Sequence, residues 1–237
     1  MIYKFEPIGI IHSCFKEKFG IPRQGRLAPE AKATLEMLPP YNRREAFRGL
    51  EGFSHLLLSF VFHDNRGGRA WQPTVRPPRL GGNERVGVFA SRSPCRPNPL
   101  GISVVELESV AYAQGRLSLL LKGVDLLDKT PVLDIKPYVP YADCAPEARG
   151  GYADVEPGRV LSVHFNEHVL LRCRQLEKAG YRDLEALIVR LLELDPRPAY
   201  RDGDDAGRVF GMRLLDFDVK WTVRDGIVTV EEILLKP

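Results

Sequence analysis

The sequence predicts a mainly β protein, β-rich over its first two-thirds and mixed α and β after that. Apolar runs of strand length recur through the first part, separated by proline and glycine. Past Gly158 the texture changes to two segments with apolar residues at helical spacing, and three strand-like runs follow. Many short strands at this spacing suggest a barrel or a sandwich. The expected division is a β domain over residues 1–150 and a small α+β domain over 151–237.

Ser54–Phe62 (SHLLLSFVF) is almost continuously apolar, the pattern of a strand buried on both faces. Val86–Ala90 reads as a shorter strand. Ser103–Tyr112 and Arg116–Lys122 are joined by Ala113-Gln114-Gly115, a hairpin link. Along Pro131–Tyr138, alternation places Val132, Asp134 and Lys136 on one side and Leu133 and Ile135 on the other. Asn42 and Glu45 occupy the first and last places of a capping box and predict a short helix closed by Gly49 or Gly52. Ala31–Leu38, with Pro29 near its start, reads as a further helix. Tyr138–Gly158, rich in proline and with Gly150 and Gly151 adjacent, is a linker or an ordered surface crossing. Asn166 caps a helix running to about Lys178 and ended by Gly180; Asp183 caps another that repeats Leu184, Leu187, Ile188, Leu191 and Leu192 on one face. Arg208–Leu214, Phe217–Val223 and Ile227–Leu235 are strands, the last two joined by the hairpin dipeptide Asp225-Gly226.

A hydrophobic share of 44% with 27% charged residues excludes a wholly disordered chain. Lys+Arg 34 against Asp+Glu 31 gives +3, which permits a nucleic-acid partner without requiring one. No run approaches the roughly 20 apolar residues of a membrane span. MIYKFEPIGIIHS lacks the basic start, apolar core and cleavage site of an export signal. Cys14, Cys95, Cys144 and Cys173 show no CxxC spacing, which argues against a zinc finger and fits free thiols in a reducing cytoplasm. No glycine-rich dinucleotide turn, P-loop or GxSxG elbow is present. His164 and His168 flank Glu167, but the order is not HExxH and a cap at Asn166 puts His164 in the preceding strand, so no metal site is assigned.

Chemistry concentrates in Trp71–Ser103, where Arg76, Arg79, Arg85, Arg92 and Arg96 stand among prolines and glycines. Fixed and permissive backbone angles together make a stiff, shaped loop. Guanidinium forks on such a loop suit carboxylate or phosphate recognition, although a solvated basic loop has the same composition.

The stretch GVFASRSPCRPNPLGIS within that region closely resembles the GVFATRSPxRPNPIG signature of the TrmO family, also called TsaA-like or YaeB. Further blocks resemble the family in family order: KEKFGIPRQ, RGLEGFSHL, FVFH, TVRPPRLGG, DKTPVLDIKPY and DPRPAYR. The resemblance covers nearly the whole chain. It implies a β-barrel methyltransferase that uses S-adenosylmethionine and acts on transfer RNA bearing N6-threonylcarbamoyladenosine beside the anticodon, producing its N6-methyl derivative. It also implies a homodimer with cofactor sites near the subunit interface. The alternatives are methylation of a small molecule and a non-catalytic regulator that binds the cofactor.

Carried over by motif, the cofactor residues are Pro22, Arg23, Gln24, His63, Asp64, Arg92, Leu100, Gly101, Ile102, Asp125, Leu126, Leu127 and Asp128. Cys95 replaces an aromatic often found in the signature, and the position of Asp64 varies in the family. The cofactor offers a carboxylate, an ammonium, a ribose diol, an adenine and a cationic sulfur. Arg23 or Arg92 suits the carboxylate or an RNA phosphate, and Gln24 suits an adenine edge or a ribose hydroxyl. N6 of the modified base belongs to a urea conjugated to the purine, so its lone pair needs a base to take its proton. Asp128, Asp134 and His63 are the candidates. Lys136 beside Asp134 fits a tuned carboxylate or a structural ion pair equally. Arg76, Arg79, Arg96 and Arg197 are expected on phosphates, with Tyr138, Tyr200 or Trp71 as stacking surfaces. The Asp195–Arg201 block, with Asp195, Arg197 and Tyr200, is expected to reach the RNA or the partner subunit.

Overall fold

The computed structural model describes residues 2–64, 71–155, 161–197 and 207–236. The barrel strands are β1 (Gly9–Ser13), β2 (Lys32–Met37) and β3 (His55–Val61), followed after two short strands, β4 (Thr74–Val75) and β5 (Val86–Gly87), by β6 (Leu100–Ala113), β7 (Arg116–Lys122) and β8 (Pro131–Pro137). They close in the order β1-β2-β7-β6-β3-β8, every neighbour antiparallel. Closure leaves this sheet without a free edge. The expected hairpin between β6 and β7 is present, with Gln114 at φ 51 and Gly115 at φ 75 as the turn requires.

Beyond a one-turn helix, α1 (Pro140–Asp143), the chain continues with β9 (Ser162–Phe165), α2 (Glu167–Lys178), α3 (Leu184–Glu193), β10 (Phe210–Leu214), β11 (Phe217–Arg224) and β12 (Ile227–Leu235). These strands form a sheet in the order β10-β11-β12-β9, with β9 parallel to β12. The five apolar residues expected on one face of α3 are all buried. Asp225 (φ 48) and Gly226 (φ 75) turn β11 into β12.

Six local expectations are corrected. Ala31–Leu38 is not a helix: Ala33, Leu35 and Met37 are buried at period two, and β2 pairs with both β1 and β7. The capping box does not form. Residues Arg44–Phe47 and Leu50–Gly52 make two 3-10 turns, and the Asn42 amide instead donates to the Gly115 carbonyl. The strand at Val86 lasts two residues before Val88–Ala90 turns as a 3-10 helix. β3 is buried on one face: Leu56, Leu58 and Phe60 enter the core while their neighbours are half-buried. In β8 a bulge opposite Ser59/Phe60 breaks the alternation, so Val132 and Ile135 both lie on the core side. Asn166 and Asp183 do stand at the starts of α2 and α3, but their side chains go to Glu231 and Lys32 rather than to the helix ends.

One apolar core runs through both units. They are stitched by a bridge between Phe15 and Leu214, by Leu215 N–H donating to the Cys14 carbonyl (2.7 Å), and by Arg213 N–H donating to the Glu17 carboxylate (2.8 Å). Phe19 stacks on Trp221, with centroids 5.9 Å apart and planes 7° from parallel. The carboxy-terminal unit therefore backs the segment that follows β1, and that segment forms one wall of the site. No helix among the described residues is long and apolar enough to cross a membrane.

Candidate functional site

A cavity of about 780 Å³ opens where five chain segments meet: residues 18–24, the end of β3 with residues 62–64, the loop at 91–96, the start of β6, and residues 125–130. That volume is in the range of pockets that take nucleoside-sized ligands. β3 and β6 pair in register from His55–Glu106 to Val61–Leu100, so Leu57, Ile102 and Val104 contribute apolar wall along one side. Phe60 and Phe62 meet edge to face at 5.1 Å. Gly101 is required there, because a Cβ would overlap the Phe60 ring. Gly25 fits just as closely: a Cβ would come within 2.8 Å of Ser103 Oγ, so the 18–24 segment is seated on the barrel.

The polar wall has a definite order. Arg92 donates to the Gln24 amide oxygen. Lys18 donates to the Asp64 carbonyl and lies 3.7 Å from its carboxylate. Asp125 accepts from the Ser103 hydroxyl. Burial raises the Asp125 pKa above its usual value, while the Ser103 and Gly25 donors and the positive charge of Arg92 act the other way. Thr130 Oγ1 donates to the Leu127 carbonyl at 2.6 Å and stands 3.4 Å from His63 Nδ1.

Pro22, Arg23, Gln24, His63, Asp64 and Arg92 all line this cavity, as do Leu100, Gly101 and Ile102, and Asp125, Leu126 and Leu127. Asp128 does not: its carboxylate accepts from Ser13 N–H (2.9 Å) and pairs with Lys16 (2.9 Å). Asp134 is also outside the lining, paired with Lys136 and accepting from Ile135 N–H at 2.9 Å. Of the three candidates for the base, His63 alone lines the cavity.

The expected RNA residues are spread more widely. Arg96 lines the cavity, but its guanidinium donates to the Ser91 (2.7 Å) and Val88 (3.3 Å) carbonyls and braces the loop. Arg76 is exposed and Arg79 half-buried, both outside the lining. Arg197 grips Asp195 with two hydrogen bonds of 2.8 and 2.7 Å. Asp195 and Pro196 line a smaller cavity, about 130 Å³, behind Lys18, Ile21, Pro22 and Arg23. Trp71 is half exposed, and Tyr138 meets His55 edge-on at 6.3 Å. Tyr200 lies outside the described residues. Among the described residues no three His, Cys, Asp or Glu side chains gather as metal ligands.

Lys18, Ile21, Phe60, Phe62 and Thr130 line the cavity without having been singled out. These five stand inside the motif blocks KEKFGIPRQ, FVFH and DKTPVLDIKPY, whereas Leu57 and Val104, which also line the cavity, stand outside every block. Ser103 carried no signal, because its role depends on β6 passing beside Asp125.

Comparison with known proteins adds an independent line. The family model for the tRNA-methyltransferase O N-terminal domain matches residues 10–144, and that for the TrmO C-terminal domain matches 158–236. The chain is 48% identical over 223 residues to the tRNA (adenine(37)-N6)-methyltransferase of Escherichia coli strain K12, covering 94% of each. It is 39% identical over 172 residues to a protein of Pyrococcus abyssi named a probable S-adenosyl-L-methionine-binding protein, covering 68% of this chain and 87% of that one. The crystal structure of TrmO from Pseudomonas aeruginosa matches with a TM-score of 0.80 at 42% identity, covering 99% of both chains.

Proposed function

The chain belongs to the tRNA-methyltransferase O family, and on that footing we propose that it methylates N6 of N6-threonylcarbamoyladenosine at position 37 of transfer RNA, using S-adenosylmethionine. The observation that carries this reading is the 780 Å³ cavity and its donor set. Arg23, Arg92 and Lys18 suit the cofactor's carboxylate. The carboxylates of Asp64 and Asp125 suit its ammonium, ribose hydroxyls or sulfonium, and the apolar face from Leu100 to Val104 suits a purine ring. The group therefore fits the residues present. When bound, it supplies a methyl group on a positively charged sulfur that leaves as a neutral thioether.

The chain's own work is alignment and proton removal. Apposing two reactants in a closed pocket removes most of the entropic barrier to their meeting. N6 also has to lose its proton as it is methylated. With Asp128 and Asp134 engaged elsewhere, His63 is the base in this reading. Arg76 and Arg79, outside the cavity, meet phosphates of the anticodon loop, and Asp195 and Pro196 support the cofactor segment from behind. The protein works in the cytoplasm as a homodimer whose interface adjoins the cavity. Support for the dimer comes from Phe89, Leu100 and Ile102, which are 73%, 43% and 67% exposed beside it. The functional division follows residues 1–150 and 151–237.

The test is mass spectrometry of transfer-RNA nucleosides after incubation with S-adenosylmethionine, comparing RNA with and without the threonylcarbamoyl group. A nucleoside one methyl heavier, formed only from the modified RNA, is the expected result. Cofactor binding with no methylation of either RNA would turn the reading toward a small-molecule substrate or a ligand-sensing role.

A further inference from the structure

Thr130 is 2% exposed, and its hydroxyl has a single hydrogen to donate. Its oxygen stands 2.6 Å from the Leu127 carbonyl oxygen and 3.4 Å from His63 Nδ1. A carbonyl has no hydrogen, so the short contact is a hydrogen bond only if Thr130 donates it. The same oxygen then faces Nδ1 with a lone pair. That second contact is favourable only when Nδ1 carries the imidazole proton; a bare Nδ1 would set two lone pairs against each other. The contact therefore favours the Nδ1–H tautomer of the neutral ring, with Nε2 bare.

We infer that Thr130 is a positioning residue: with the Leu127 carbonyl behind it, it fixes the His63 tautomer that leaves Nε2 as the proton acceptor. The inference rests on the reading of His63 as the base. In the step it serves, the N6–H bond breaks and its proton passes to Nε2. The nitrogen's electron pair forms the bond to the methyl carbon, and the carbon–sulfur pair departs with sulfur. In the opposite tautomer Nε2 carries the proton and cannot accept one from N6, because the bare nitrogen is then Nδ1, facing Thr130. The relay comes from the barrel's own connectivity. Thr130 immediately precedes β8, His63 follows β3, and β3 and β8 are hydrogen-bonded neighbours.

The direct test needs no variant and no activity. Nitrogen-15 correlation spectra of the His63 imidazole, recorded on the whole protein in alkaline buffer without cofactor or RNA, report which nitrogen bears the proton. Nδ1–H is expected; an Nε2–H ring overturns the inference. Thr130→Val should mix the two tautomers and lower kcat about tenfold, a fraction of the 10²–10⁴ a general base supplies, with KM for both substrates nearly unchanged. Thr130→Ser, which keeps the hydroxyl, should restore both the spectrum and the rate. Wild-type kcat in Thr130→Val overturns the inference. His63→Gln separates the two layers: wild-type turnover there removes the base reading, and with it any catalytic role for Thr130, whichever tautomer the spectrum shows.

Discussion

The barrel and the carboxy-terminal unit fill their interiors differently. Between α2, α3 and the four-stranded sheet the buried side chains are apolar, from Val169 and Leu176 through Trp221 to Ile233. The barrel unit is where the buried polar side chains among the described residues lie: Ser13, Ser103 and Thr130. All three hydroxyls converge on one short segment. Ser13 donates to the Leu126 carbonyl (2.7 Å), Ser103 to the Asp125 carboxylate, and Thr130 to the Leu127 carbonyl. A buried hydroxyl left unpaired costs about 1–3 kcal/mol, so each is held to its partner and in turn fixes that partner's direction. Apolar packing tolerates small shifts, whereas directed hydrogen bonds do not. The barrel thus spends polar burial on residues 125–127, which line the cavity, and the other unit is a plain hydrophobic support.

If that contrast holds, the largest losses come from removing the support. Trp221 is fully buried between Phe210 (5.9 Å, 23°) and Phe19 (5.9 Å, 7°). Trp221→Ala is expected to lower stability by about 3–5 kcal/mol, read from urea unfolding. Phe19 adjoins the cavity residue Lys18, so cofactor affinity should fall in the same variant. A destabilised protein that still binds normally would mean the two units are less coupled than the stacking implies.

Gly101→Ala strikes the site side. The added methyl meets the Phe60 ring, and the repacking should cost about 1–3 kcal/mol. Because Gly101 and Phe60 both line the cavity, cofactor binding measured by calorimetry should weaken at least about tenfold, roughly 1.4 kcal/mol. Unfolding and binding together say whether the apolar wall is part of the binding surface or only of the core.

The two interiors were unequally legible in the sequence. The carboxy-terminal unit follows periodicity closely: the apolar face of α3, the helix starts at Asn166 and Asp183, and the Asp225-Gly226 turn all stand where spacing puts them. There a side chain's fate depends on neighbours near in sequence. In the barrel it depends on closure. Ala31–Leu38 contains good helix formers, yet lying between β1 and β7 makes it a strand, so tertiary pairing overrides propensity. A single extra residue in β8 moves Val132 and Ile135 to the same side, which no count of alternation reveals. The cavity residues were legible as motif blocks, while their partners were not. That Asp128 is taken by Ser13 and Lys16, and that Ser103 serves Asp125, are contacts between segments far apart in the chain.

A pH dependence sharpens the contrast further. Burial raises the native pKa of Asp125 above the usual 3.8, so the native state keeps its proton where the unfolded chain has already lost it. This carboxyl's contribution to stability is then full below 3.8 and is lost as pH rises through the raised native value. Asp125→Asn has no proton to lose. Its stability relative to wild type should climb through that window and level off above it, as paired urea curves across pH will show. A difference that stays flat with pH would mean that burial does not govern this group.

The smallest effect belongs to the seam between the units. Lys32 on β2 meets Asp183 at the start of α3 at 2.6 Å, but the side chains are 41% and 54% exposed, so solvent screens the pair. Lys32→Met should change stability by less than about 1 kcal/mol, and added salt should erase the difference. The sign with pH is opposite to that of Asp125. The Lys32 hydrogen bond and charge hold the Asp183 carboxyl below the usual 3.8, so its contribution is present above that value and is lost as pH falls through the lowered native value. The difference between Lys32→Met and wild type should therefore shrink in acid. Arg190 and Glu30 join the same two units at 3.4 Å with side chains only 20% and 22% exposed. Arg190→Met should cost more than Lys32→Met and respond less to salt, because a half-buried pair is less screened. Equal effects from the two variants would assign the joining of the units to the apolar contacts around Phe15, Phe19 and Trp221 rather than to charge.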